Sequence, residues 1–220
     1  MERLSIYDMI KMGEGQQLDF KHSISDAPKI ARSLVAFANT DGGTLLLGVK
    51  DNGRIAGIRT DEEIFMIETA AHLYCKPEVE FFSNLHKLEG KTVAEISVEP
   101  SRNKPHSAPD ANGKYMVYIR KKDENLLANR VLLEVWRLQK RNAQVKLFYD
   151  TFIEQIFELL QSNKRATIKE IAAKLKQSKF KTENIIIKLM IMNLIDIDIN
   201  ADNVYYYLKT ESYSENELQL

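Results

Sequence analysis

Glycine and proline are missing from the second half of this 220-residue chain. All nine glycines and all five prolines lie before residue 114, so the last 107 residues contain neither. A turn-rich half followed by one without such punctuation predicts two architectures in series. Cysteine occurs once, as Cys75, which excludes an internal disulfide and with it a stapled secreted scaffold. Cys75 and the scattered His22, His72, His86 and His106 give no Cys/His zinc pattern. The first thirty residues hold no basic-then-apolar leader and no 18-residue apolar run occurs, so the expectation is a cytoplasmic protein without a membrane partner. Net charge is missing too, with 31 basic against 31 acidic residues. That excludes a uniformly basic coat for nucleic acid but not local patches.

Periodicity fills in the first half. Residues 4–12 place Leu4, Ile6 or Tyr7, and Ile10 at helical spacing before Gly13, and residues 17–21 read as a short strand. A helix over 27–39 carries Pro28 in its first turn and apolar Ile30, Leu34, Val35, Phe37 and Ala38. Residues 44–49 (TLLLGV) are a continuous apolar run, as in a strand covered on both faces. Asp51-Asn52-Gly53 predicts a tight primed turn, with 54–58 returning as a partner strand. A helix over 61–74, capped by Thr60 or Asp61, a hairpin of 79–88 with 92–98, a loop over 99–113 and a last strand at 115–120 complete an α+β domain.

The second half reads differently. Residues 123–141 are apolar over most of a helical circumference, which predicts a linking helix packed between domains or in a dimer. Helices follow at 145–161, at 168–176 behind the capping box Thr167–Glu170, and at 181–193. Alternating strands at 195–199 and 204–208 close the series, the order of a winged helix. The expected division is 1–122, a linking helix over 123–144, a winged helix-turn-helix over 145–209, and a loose acidic tail over 210–220.

Three blocks resemble a known family: Glu14-Gly-Gln-Gln-Leu-Asp19-Phe20-Lys21, then Ala36 through Val49 (AFANTDGGTLLLGV), then Asp51 through Ile58 (DNGRIAGI). With a looser match from Lys104-Pro105-His106 to Tyr118-Ile119-Arg120, they are similar to the Schlafen AlbA-like domain, over about residues 1–130. The resemblance implies a mixed α/β, AlbA-like fold and one of two activities. One is DNA binding, as in prokaryotic transcriptional regulators. The other is RNA cleavage at a divalent-metal site, Mg or Mn, whose matching residues here are Glu14, Asp19 and Asp51. Lys21, on the same strand face as Asp19, would then contact a phosphate. Glu14 beginning a strand and Asp51 serving its turn explain the same residues without metal. Relatives are also labelled ATP-binding, but Asp41-Gly42-Gly43-Thr44 lacks the Gly-Lys-Ser/Thr of a phosphate loop and precedes a strand, so ATP is not expected. Arg102 and Lys104 form a basic loop that suits nucleic acid; His106 reads as a solvated loop histidine.

The zero total hides an asymmetry. Residues 164–188 hold eight basic side chains against two acidic ones, a net of +6, whereas 189–220 hold Lys209 against six carboxylates, a net of −5. Lysines and arginines across a helix-turn-helix displace condensed counterions from phosphate. Lys164, Arg165, Lys179, Lys181, Asn184 and Lys188 are therefore the expected nucleic-acid contacts, with Asn184 placed to read an adenine edge and the lysines to position the backbone. Asp196, Asp198 and Asp202 should keep the wing off phosphate. DNA is favoured over RNA, a homodimer is expected, and an interaction scaffold is the remaining alternative.

Overall fold

The computed structural model describes residues 4–58 and 62–209, divided into two units between Ala128 and Asn129. The first is organised around α2 (Ala27–Asn39) and β2 (Gly43–Leu47). Asp26 caps α2 by accepting the Lys29 N–H at 3.0 Å, and Pro28 presets its first turn. The turn into β2 has no room for side chains. A Cβ at Gly42, whose φ is +71°, would lie 2.7 Å from the Val98 carbonyl, and one at Gly43 would lie 2.4 Å from the Phe37 ring.

β2 is central in a four-stranded sheet of order β1-β2-β4-β3, formed with β1 (Leu18–Lys21), β3 (Phe82–Leu88) and β4 (Lys91–Val98). It runs parallel to β1 and antiparallel to β4. Leu45, Leu46 and Leu47 are wholly buried because both faces are covered. Leu45 and Leu47 pack with α2 and the Ile67–Ala71 part of the helix that follows α3 (Glu62–Thr69) into a π-helical turn. Leu46 packs on the other face with Phe20, Val93 and Ile6 of α1 (Ile6–Met12). Cys75 lies in the α2 core, where burial pushes its thiol up to about 12.

Several local expectations change. The Thr60 or Asp61 cap lies outside the described residues. At 51–53 only Gly53 has positive φ, and Gly53 N–H donates to Lys50 O at 2.7 Å, so this is an ordinary turn with glycine in last place. The return limb makes a single bridge, Val49 to Ile55, before Ala56 and Gly57 both donate to Gly48 O, which ends the pairing. The expected strand at 115–120 divides into β6 (Tyr115–Met116), paired with β5 (Ala108–Pro109), and β7 (Tyr118–Lys121).

The largest correction concerns 123–141. Its first part is β8 (Glu124–Leu127), paired with β7 across Lys122 at φ 54°, and the helix α4 spans only Arg130–Lys140. Asn129 sets that start by accepting the Leu132 N–H at 2.9 Å. Val131 and Val135 of α4 are buried in the core of the second unit, so these apolar residues pack within that unit and not, as expected, between domains or in a dimer. Asp150 likewise caps α5 (Thr151–Asn163), so no helix covers 145–150.

The second unit continues with α6 (Ile168–Lys174) behind the Thr167–Glu170 capping box, α7 (Lys179–Ile191) and the hairpin of β9 (Ile195–Ile199) with β10 (Val204–Leu208). Ala166 and Tyr206 exchange backbone hydrogen bonds of 3.0 and 2.8 Å, adding a short bridge to the hairpin. Among the described residues, no helix is long and apolar enough to cross a membrane.

Gly43→Ala should cost about 1–3 kcal/mol, because the wholly buried Phe37 ring cannot move aside. Urea unfolding checks this. Gly15→Ala, with open space and no positive φ, should be near neutral.

Candidate functional site

Arg120 of β7 is 2% exposed, and its guanidinium is surrounded by partners. Nε donates to Gly15 O at 3.2 Å, Nη1 to Asn125 Oδ1 at 3.0 Å, and Nη2 to Leu18 O at 3.3 Å and Asp19 Oδ1 at 3.2 Å. Its plane sits 5.2 Å from the Phe37 ring centroid, and its own N–H donates to Thr40 Oγ1 at 2.8 Å. Gln16 Nε2 bridges Arg120 O and Asp41 Oδ2, both at 2.9 Å, while Gln17 Nε2 donates to Asp41 O at 2.7 Å. Asn39, 2% exposed, donates to His106 O and Tyr118 O and accepts the His106 N–H, each at 2.8 Å. Polar residues of the first, second and fourth sequence blocks thus form one network, buried at Arg120, Asp19 and Asn39 and exposed at Asp41, that joins β1, the end of α2 and β7.

His106 belongs to that network. It is 4% exposed, with ring nitrogens 2.9 Å from Pro77 O and 2.6 Å from Ser101 Oγ, so the solvated-loop reading is corrected. Lys104 is half-buried and donates to Thr40 O at 3.1 Å; burial lowers its pKa, partly offset by Asp41. Of the expected basic loop, Arg102 alone is exposed.

Glu14 and Asp19 come together; Asp51 stands apart, exposed in the Lys50–Gly53 turn. Asp19 is 4% exposed and sits between two cations, Arg120 and Lys21. Its buried Oδ2 lies 2.8 Å from Lys21 Nζ, a charge contact without hydrogen-bond alignment. Glu14 Oε1 accepts the Phe20 N–H at 2.8 Å. Burial raises the Glu14 pKa, helped by its hydrogen bond to Asp19 and by the Asp19 charge; the Phe20 N–H and Lys21 pull the other way. Among the described residues no three Asp, Glu, His or Cys side chains gather as a metal group. A divalent ion at Asp19 would compete with two cations already in place and would lack Asp51. The residues present do not fit it, and we derive no step through a metal.

Residues 14–129 match the family model described as Schlafen, AlbA_2. The chain belongs to the Schlafen AlbA_2 family. Two solved structures are similar to parts of it. The DIP2311 protein from Corynebacterium diphtheriae matches over 62% of this chain at 21% identity and a TM-score of 0.42, and the chain spans 27% of that protein. The N-terminal domain of a RecG-related protein from Nitrosomonas europaea matches over 58% of this chain and 94% of that domain, at 19% identity and a TM-score of 0.40. No curated protein matches the chain.

Beyond the Schlafen AlbA_2 match lie the basic residues of the second unit. Lys164, Arg165, Lys169, Lys174, Lys176, Lys179 and Lys181 are all exposed, and Lys188 is half-buried. Arg165 stacks 4.2 Å from the Tyr205 ring and lies 3.4 Å from Asp198, so the hairpin holds it. Lys181 Nζ rests 4.9 Å over Phe152, and Lys188 Nζ donates to Lys146 O at 3.2 Å. Asn184 is half-buried. Glu183 is 7% exposed and pairs with Arg130 of α4, while Ile187, one turn on, is 4% exposed. α4 therefore closes the face of α7 that carries Glu183 and Ile187.

Arg120, Gln16 and Asn39 carried no functional weight in the sequence reading. Their one visible signal was an arginine inside the apolar strand YMVYIR. Arg120→Met should cost about 3–5 kcal/mol, since it leaves the Asp19 carboxylate buried beside Glu14; adding Asp19→Asn should recover part of the loss. Thermal unfolding of both variants decides this. A second test uses pH. The folded chain holds the Glu14 proton above its ordinary value of 4.5, so that stabilisation is complete below this pH and is lost as pH rises through the folded value. Glu14→Gln keeps an acceptor for Phe20 and should gain on the native chain at neutral pH relative to about pH 4. Parallel stability profiles would contradict the shift.

Proposed function

We propose that this Schlafen AlbA_2 protein binds nucleic acid, DNA for preference, and acts as a transcriptional regulator, with its second unit as a winged helix. The order α5, the Ala166 bridge, α6, α7 and the β9–β10 hairpin supports that assignment. One observation carries the binding. Seven of the eight basic side chains over 164–188 are exposed, while one of the two acidic residues there, Glu183, is buried against Arg130. The exposed side chains, seven cations and Glu170, thus keep the full +6 of the stretch at the surface, and phosphate is the polyanion it suits.

The mode follows from α4. With α4 over one face of α7, the exposed part of that helix is its first turn, around Lys181 and Lys179, the latter 76% exposed and 3.8 Å from Glu183. Contact there is to the phosphate backbone, with base reading by the half-buried Asn184 secondary. The ribonuclease alternative is weaker, because Asp51 stands apart from Glu14 and Asp19 and Arg120 and Lys21 already neutralise Asp19.

Lys179→Ala with Lys181→Ala should weaken duplex binding and reduce the salt slope, log Kd against log salt, by about 2. Asn184→Ala should change affinity little. Titration of a labelled duplex at several salt concentrations measures both. Binding and salt slope unchanged in the double variant would sink this mode, and no salt-sensitive binding to any nucleic acid would leave the unit as a protein-interaction module.

A further inference from the structure

The first unit's sheet has two edges, and the chain treats them differently. At the β1 edge three of the four outward backbone groups of Leu18 and Phe20 have internal partners, the Phe20 carbonyl accepting from Lys21 Nζ at 2.8 Å. Gly15 N–H and Arg120 Nη2 donate to Leu18 O at 2.8 and 3.3 Å, and Glu14 accepts the Phe20 N–H at 2.8 Å. That edge is mostly closed. At β3 there is no such cover. Ser83, Asn84, Leu85 and Lys87 are exposed, and Phe82 and Leu85 show 66% and 59% of their surface. Edges of this kind invite pairing with another strand.

The hairpin fixes which groups are free. Glu89 and Gly90, at φ 51° and 74°, make a two-residue primed turn, so the flanking Leu88 and Lys91 exchange hydrogen bonds. Alternation from that pair turns the backbones of His86, Asn84 and Phe82 towards β4. Thr92 agrees, since its carbonyl accepts from Ile58 on the side away from β3. The N–H and C=O groups of Ser83, Leu85 and Lys87 therefore face outward, and among the described residues no backbone group bonds to them.

We propose that the β3 edge is the self-pairing surface of a homodimer, with a two-fold axis at Leu85 and the two sheets joined into one of eight strands. In that register Leu85 packs on its own copy, Ser83 stands across from Lys87, Asn84 from His86, and Phe82 from Leu88. No like charges oppose each other, and the exposed Phe82 and Leu85 both gain apolar neighbours. Neighbouring registers are worse. Pairing Leu85 with Asn84 or His86 sets outward groups against groups already bonded to β4; an axis at Asn84 sets Leu85 across from Ser83 and Phe82 from His86, an axis at His86 sets Leu85 across from Lys87, an axis at Lys87 sets two ammonium groups face to face, and an axis at Ser83 runs Lys87 past the end of the strand. Only the axis at Leu85 sets both exposed apolar side chains against apolar partners of the same strand, and that self-complementarity selects a second copy over an unrelated peptide.

This inference names the surface of the expected homodimer and does not depend on nucleic-acid binding, so its test contains none. Sedimentation of the full chain should give a dimer. Leu85→Cys should form a covalent dimer under mild oxidation, because hydrogen-bonded antiparallel partners have Cα atoms about 5.5 Å apart, within disulfide reach. Native Cys75 is buried and should not cross-link. Leu85→Lys should weaken the dimer by at least about tenfold through like-charge opposition, with unchanged circular dichroism and melting, as Leu85 is mostly exposed. Ser83→Asp, placed across from Lys87, should leave the dimer intact or tighten it. A native chain that stays monomeric, or a dimer that survives Leu85→Lys and yields no 85–85 cross-link, would overturn the proposal.

Discussion

The buried guanidinium of Arg120 is the constraint around which the first unit is built. An arginine cannot shed its charge, and its N–H groups must all be met once water is excluded. Gly15, Leu18, Asp19 and Asn125 meet four of the five, with the Phe37 ring against the guanidinium, and each is thereby placed. The backbone of the same residue is tied to Thr40 and Gln16, so strand β7, the end of α2 and the segment before β1 are held by one side chain and its own peptide. A buried ion pair of this kind is weak evidence for net stability, but breaking it on one side is costly. Its effect here is positional: it sets where the Glu14–Asp19 pair sits.

That pair shows why the family blocks were readable while their role was not. Glu14, Asp19 and Asp51 have the residue types of a hard-cation site, and the chain alone offers no means of seeing that two cations already claim Asp19. Glu14 spends its carboxylate on the Phe20 N–H at a sheet edge. Asp51 does what its turn requires. The legible parts were those under local control. Asp26, Pro28 and the glycines after Asn39 bound α2 at residues 27 and 39, and strict alternation marked β9 and β10. Where apolar residues run without clear period, as in 123–141, Leu126 and Leu127 served a strand as readily as a helix. The deciding cap, Asn129, was one polar residue among several.

Burial also reworks the charge balance. The zero total is a sum over residues, whereas a phosphate meets only the exposed ones. Glu183 enters the count of residues 164–188 as a negative charge, yet it is buried, with Arg130 from outside that stretch on one oxygen and Lys179 3.8 Å from the other. α4 thus takes one carboxylate off the positive surface of the second unit, as the half-burial of Lys188 takes off one cation, while covering part of the helix that carries it. The same packing removes the original ground for a dimer, since Val131 and Val135, which looked like an apolar surface in search of a partner, are spent inside their own unit.

What remains for association is backbone. A four-stranded sheet leaves two rows of outward peptide groups, and water is their only alternative to protein. At β1 the answer is internal, through Gly15, Arg120 and Glu14, residues that the resemblance would otherwise assign to chemistry. At β3, among the described residues, no side chain bends back and no glycine loop covers the edge, and two large apolar side chains are exposed. Lys87 sits on that edge as a guard against indiscriminate pairing, and its charge is tolerated in the one register that sets it across from Ser83. The two edges are therefore treated in opposite ways: the network around Arg120 and Glu14 ties down one, and the other keeps the row of outward groups on which the proposed self-pairing rests.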